Sequence, residues 1–353
     1  MKIKLVIPIT LDIDLSPFQS TSLKVGNSTL FHGLIEVTIG THDFHIFKHH
    51  NSDTDERFLF IESLGNLDLD EFKKYSDAVI LALGFTTGKL FLEEYYYMVL
   101  NNEEYLNAEF VSYEYKGESI CSNSSILDPF GFTNYIQRLP NYESELKHIN
   151  PQMSTLVLSL LISQLLKNKV FARSCSLVVE GNNCHHKLLK AGIYSIAIET
   201  ITQLIYEENE QKVNPIPDQA LAKEVRKKLQ NCLMTFDDLI STYGKTILSA
   251  KIQDINKPTN LKKLTKPFEI YGIKLDAHSL EILGHRNKFL HSLSPTNSNQ
   301  DDLELIYIAL KLRFMLNSLI LKYIGYSGHL VNNSAWLSKD YSVGELDHPF
   351  KLI

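Results

Sequence analysis

The sequence predicts an α+β protein: a β-rich N-terminal domain with one helix, followed by an all-α helical bundle. Three observations predict it. Runs of β-branched and aromatic residues crowd the first part of the chain. Residues 139–152, LPNYESELKHINPQ, then bring two prolines and few apolar side chains, the texture of a connector. Beyond them apolar residues recur at three- and four-residue spacing, the period of a helix. The expected domains are 1–145 and 152–330, with a C-terminal tail over 331–353.

The elements follow in order. KIKLVIPITL, LFHGLIEVTIG, HDFHIFKHH, RFLFIESLG and KLFLEEYYYMVL read as strands, punctuated by Gly, Asn, Asp and Ser. Between the last two, Leu69 to Leu83 reads as a helix, with acids in its first turn and Gly84 at its end. NAEFVSYEYKGESICSN reads as a hairpin turning at Lys116-Gly117. After the connector, helices are expected over 153–168, 186–206, 218–233, 237–253, 277–291 and 301–324. AGIYSIAIETITQLI shows the clearest buried face. YEENEQKVNPIPDQ and the basic, proline-bearing NKPTNLKKLTKPFE (256–269) read as loops.

The net charge of −6 hides an asymmetry. Residues 1–150 hold 11 Lys+Arg against 22 Asp+Glu; residues 151–353 hold 24 against 19. An acidic half beside a mildly basic one suggests different partners for each, with a polyanion suited to the second. The four cysteines form no CxxC pair, which argues against a zinc ribbon or a thioredoxin-type site and fits a reducing cytoplasm. MKIKLVIPITLDIDLS runs into Asp12 and Asp14 and lacks the pattern of a signal peptide. LVLSLLISQLL (156–166) is the longest apolar run, short of the roughly 20 residues a membrane span needs. A cytoplasmic protein without a membrane partner is expected.

The chemistry concentrates in RNKFLH, Arg286 to His291. Cleaving RNA without a metal means that a ribose 2′-hydroxyl attacks the adjacent phosphorus. Protons must move, and histidine titrates nearest neutrality. Charge builds on the phosphoryl oxygens, and the planar guanidinium fork of arginine matches them. Asn287 would orient the histidine or donate to a phosphate oxygen. Five helical steps of about 100° leave Arg286 and His291 about 140° apart around the axis, whereas Asn287 and His291 share a face. A site using both motif ends therefore needs the arginine to reach around, or a second copy of the helix. The plainer alternative is that His291 serves a helix C-terminus and Arg286 a surface ion pair. Among six arginines and thirteen histidines this is the single Arg-x4-His in the chain, a spacing weak by itself and sharpened by Asn287.

The hexapeptide resembles the R-x4–6-H motif, with a polar residue after the arginine, of the HEPN superfamily (higher eukaryote and prokaryote nucleotide-binding). AGIYSIAIETITQL resembles the helix upstream of that motif, and LELIYIALKLRFMLNSLILKYIGYSG is similar to the closing helix of the ApeA-type antiphage subgroup. The resemblance covers about residues 153–330, and the helix-LGFTTG-strand order of the N-terminal region is similar in arrangement. It implies a dimerising helical bundle and metal-independent ribonuclease activity, as a toxin or an antiphage abortive-infection effector. It implies RNA as substrate, with tRNA among the candidates, and a phage-derived trigger acting at the N-terminal domain. It makes Arg286, Asn287 and His291 the motif residues and places Glu199 where several members carry an acid near the site. It implies no cofactor and no metal. Some members keep the fold and only bind, so a non-catalytic helical dimer holding RNA, nucleotide or a protein is the alternative.

Weaker candidates have plainer readings. His42, His45, His49 and His50, with His32 nearby, suggest a metal, but His42 and His45 point to opposite faces of a strand. Cys184-His185-His186 has no second ligand pair and reads as a helix start. LGFTTGKL lacks the spacing and the final hydroxyl of a phosphate loop. Tyr95, Tyr96 and Tyr97 could stack bases, though strand alternation explains them more simply. Lys262, Lys263 and Lys266 form a short basic stretch able to meet phosphates, or simply a solvated one.

Overall fold

A computed structural model describes residues 1–25, 28–100, 108–137, 152–236, 238–286, 301–337 and 348–353. The protein is α+β, with an antiparallel sheet built from the N-terminal part and helices from the rest. The sheet has seven strands: β1 (Lys2–Pro8), β2 (Thr21–Val25), β3 (Ser28–Ile39), β4 (His42–Asn51), β5 (Glu56–Ser63), β7 (Glu94–Leu100) and β8 (Ala108–Tyr115), in the order β2-β3-β4-β5-β1-β7-β8. Register follows from burial. Ile35, Ile46, Ile61, Leu5 and Tyr97 stand opposite one another across five strands, and every one is fully buried. A slip of one residue would turn this row to the other face.

Helix α1 (Leu69–Thr87) lies on that face, its Phe72 ring 6.2 Å from Tyr97 and 6.3 Å from Phe44. The Asp68 carboxylate accepts from the Glu71 amide at its start. The helix runs past Gly84, the expected end, to Thr87, because Gly84 stays helical and buried. It stops at Gly88, whose φ of 79° is the left-handed geometry that suits glycine. LGFTTGKL is therefore mostly helix, followed by the short β6 (Lys89–Leu90).

The expected hairpin at Lys116-Gly117 does not form. β8 pairs with β7, and β9 (Ile120–Cys121) pairs with β6. Both halves of the run find partners already in place, so neither pairs with the other. The sequence reading also passed over α2 (Pro129–Ile136), capped by Asp128 with Pro129 at its first position.

The helices continue with α3 (Thr155–Lys167), α4 (Lys169–Asn183), α5 (Lys187–Glu208), α6 (Glu210–Val213), α7 (Gln219–Met234), α8 (Thr242–Gln253), α9 (Asn260–Ile270), α10 (Ala277–Gly284) and α11 (Asp301–Tyr323). α4 was not expected, its run being broken by Ser, Gly and Asn; the Asn168 side chain starts it by accepting from the Val170 and Phe171 amides. α9 occupies what read as a loop. Its Thr259 cap was legible, but Pro267 argues against a helix interior, since it removes a backbone donor. α11 is buried on nearly all sides and α5 over about half of its residues, and the two pack together at the centre of the bundle. A side chain at Gly181 of α4 would meet the Tyr194 ring of α5, so that glycine sets how closely the two helices approach. By length and apolarity α5 alone among the described helices could cross a membrane, and more than half of that stretch is buried inside the fold.

The core is one connected cluster that runs from the sheet through α1 and α3 into the bundle. α3 packs on α1 and on β3, and its Ser159 hydroxyl accepts from the Thr38 amide. Most of the connector, residues 139–151, lies outside the described residues. The expected C-terminal tail contains structure: β10 (His329–Val331) pairs with β11 (Phe350–Leu352), and α2 packs against both through Phe132 and Tyr135.

Candidate functional site

Three helices build the site. α5 carries Glu199 midway along its length. α9 packs beside α5 by burying Leu264 and Phe268. α10 packs against α9 and α11 through Ile282 and Leu283, which brings its C-terminal end, and Arg286 just beyond it, back to α5. There the Arg286 Nε donates to Glu199 Oε1, a contact between residues 87 apart in sequence.

The pair is asymmetric in exposure. The Arg286 side chain is 11% exposed and that of Glu199 36%. The ion pair that the plainer alternative gives Arg286 is therefore present, with the arginine the more buried partner. Among the described residues Glu199 engages the Nε, and the two terminal nitrogens of a guanidinium are the pair that grips a phosphate end-on.

Both residues line a groove of about 470 Å³. Thr200 and Gln203 of α5 and Asn260 and Lys263 of α9 line it as well. Among the described residues Leu264 is its one apolar side chain and Glu199 its one carboxylate. The Lys263 ammonium lies over the Tyr206 ring, 5.0 Å from its centroid.

Of the expected site residues, the structure brings Arg286 and Glu199 together. Asn287 and His291 lie outside the described residues. Sequence reasoning did not connect Lys263 and Asn260 to this site. The signal was present, a Thr259 cap before a lysine-rich turn, and the two flanking prolines masked it.

The other candidates separate clearly. His45 faces Glu36 at 3.5 Å, His50 faces Asp55 at 2.7 Å and His42 lies 3.9 Å from Glu71, each with its own acid. Among the described residues no three His, Cys, Asp or Glu come together as metal ligands. His186 caps α5, its Nδ1 accepting from the Leu189 amide. Tyr95 and Tyr97 are buried in the sheet core, where no base can reach them, and burial pushes both phenols well above their ordinary range. No protein-family model, no curated protein and no solved structure matches this chain.

Proposed function

We propose that the chain is a metal-independent endoribonuclease of HEPN type, a toxin or antiphage abortive-infection effector that works as a homodimer. The observation that supports this best is the Glu199–Arg286 contact: an arginine from the RNKFLH motif, mostly buried, fixed by an acid 87 residues away, at a polar groove with a second cation. A mostly buried arginine held at its Nε keeps its fork at a fixed angle, which is what stabilising a phosphoryl transition state requires.

In this reading the 2′-hydroxyl of RNA attacks the adjacent phosphorus. The O2′–P bond forms, the P–O5′ bond breaks, and the products are a 2′,3′-cyclic phosphate and a 5′-hydroxyl. His291 accepts the 2′-hydroxyl proton or delivers one to the departing O5′. In a homodimer the two copies of the motif divide these tasks. Arg286 neutralises charge on the non-bridging oxygens, Glu199 positions Arg286, and Asn287 orients the histidine.

The same contact favours a second reading. A carboxylate on the guanidinium competes with phosphate, so the pair could serve as a strut in a non-catalytic helical dimer that binds RNA, nucleotide or a protein. Cleavage of labelled RNA in excess chelator separates the two. Wild type should cut, and Arg286→Ala and His291→Ala should each lose on the order of 10²–10⁴ in rate with melting temperatures kept. Equal cleavage by all three sinks the nuclease assignment, and RNA binding without cleavage moves the second reading ahead.

A further inference from the structure

We propose that Lys263 and the first turn of α9 form a second phosphate subsite beside Arg286, so that the substrate is a single RNA strand laid along the groove between α5 and α9. This rests on the ribonuclease reading and names the form of its substrate.

The argument begins with charge. Among the described residues Glu199 is the groove's only carboxylate and is already matched by Arg286, so Lys263 leaves that lining with a net positive charge. Among the described residues Lys263 has no ion-pair partner; the neighbouring Lys266, by contrast, is tied to Glu269 at 2.6 Å. Lys263 is also placed. Its ammonium sits over the Tyr206 ring, which fixes the side chain on the groove wall at little cost in further ordering.

The backbone adds a second contribution. Asn260, which lines the groove, is the first residue of α9, an 11-residue helix. The Thr259 hydroxyl takes the Lys262 amide, and Lys263 donates its own amide to the Thr259 carbonyl. The Asn260 and Leu261 amides precede these, at the positive end of the helix dipole. A phosphate there would meet amides, an ammonium and the Asn260 side chain together. Arg286, which lines the same groove, would hold the reacting phosphate, and Lys263 the next one along the strand.

Groove size selects the form of the nucleic acid. A space of about 470 Å³ takes one or two nucleotides, not the breadth of a duplex. Leu264 supplies the apolar surface and Gln203 and Thr200 the polar groups that an unstacked base would meet.

The test uses the full chain and two kinds of probe. One pair of substrates is a dinucleotide with a single internucleotide phosphate and a tetranucleotide with three. The other is a labelled 2′-O-methyl single strand, which cannot be cleaved, and its duplex. Lys263→Ala should raise KM for the tetranucleotide about tenfold, leave kcat unchanged and leave the dinucleotide unaffected. It should lower the slope of log affinity against log salt by about 0.7 on the single strand. Lys263→Arg should restore both, and Lys223→Ala, exposed on α7 away from the groove, should change neither. The subsite is overturned if Lys263→Ala matches Lys223→Ala, if the dinucleotide suffers equally, or if duplex binds as tightly as single strand. Should Lys263→Ala do nothing while Arg286→Ala abolishes cleavage, the subsite alone falls. Should Arg286→Ala cut like wild type, or wild type bind no RNA, the ribonuclease reading falls with it.

Discussion

At the scale of single residues, what holds Arg286 in place is testable apart from what it does. Asp276 starts α10: its carboxylate accepts from the Ser279 amide at 2.6 Å and from the Lys311 ammonium at 2.9 Å, and the Lys311 side chain is almost wholly buried. Burial pushes the Asp276 carboxyl up, but the hydrogen bonds from Ser279 and Lys311, with the lysine charge, outweigh it and hold it at about 2. A depressed carboxylate contributes stability that is present above the ordinary carboxylate pKa and lost as pH falls toward the folded value. Asp276→Asn should therefore destabilise by about 1 kcal/mol at pH 7, a figure discounted because the carboxylate is partly exposed. The difference from wild type should close between about pH 4 and 2, as thermal melts across pH would show; a gap that persists at pH 2 would remove the carboxylate from the account. The motif arginine was legible in the sequence because its pattern is local. Its contact with Glu199 was not, because nothing local ties residues 87 apart.

At the scale of elements, α7 and α8 form a hairpin that stands out from the bundle. Of their residues only Ala222 is buried, while Met234, Tyr243 and, between the helices, Leu239 are exposed. Its base is closed by a reciprocal bond: Asn256 accepts from the Ile216 amide at 2.8 Å and donates to the Ile216 carbonyl at 3.0 Å. With so little core, the hairpin contributes little to the stability of the rest. Replacing residues 218–254 with a short Gly-Ser linker should shift the melting temperature by only a few degrees. Asn256→Ala, which removes both bonds at a buried position, should cost about 1–3 kcal/mol. Chemical denaturation of both variants checks the contrast, and a deletion more damaging than the point substitution would mean that the hairpin supports the bundle after all. These two helices were legible to within a few residues because capping and periodicity are sequence-local. α9 was not, since buried Leu264 and Phe268 offset what Pro267 costs, and burial is decided by the neighbours. The false hairpin at Lys116-Gly117 has the same origin: turn chemistry shows where the chain bends and not which strand it meets.

At the scale of the whole molecule, the α+β class and the change from strand to helix were readable from periodicity, while the continuity of the core was not. A proline-bearing connector marks where local texture changes, but packing across it is a three-dimensional fact. Several ties cross the expected boundary. The Met153 amide donates to the Pro17 carbonyl, and the Gln19 amide to that of Met153. Val331 donates to the Ile126 carbonyl. Arg313 of α11, fully buried, donates to the carbonyls of Ser124 and Ser125, and burial lowers its pKa. A guanidinium removed from water with backbone oxygens as acceptors would be costly to leave without them. Residues 152–353 produced alone would lose those carbonyls and expose Leu158, Leu161 and Ile162 on α3, all fully buried in the intact chain. That fragment should aggregate or unfold without a sharp transition, and co-expression with residues 1–137 should restore a soluble pair. The intact chain should unfold in one calorimetric transition, its measured enthalpy equal to the van't Hoff value. A monodisperse, cooperatively folding fragment would instead show that the halves are independent. The outcome also decides how regulation can be tested. If the fragment does not fold, restraint of the proposed nuclease by the N-terminal half cannot be probed by truncation. It must be probed by loosening one tie: Ser159→Ala removes the acceptor of the Thr38 amide and leaves the α5–α9 groove intact. If the N-terminal half restrains the site, that variant should cleave RNA several-fold faster at unchanged KM; a rate equal to wild type would assign the contact to stability alone.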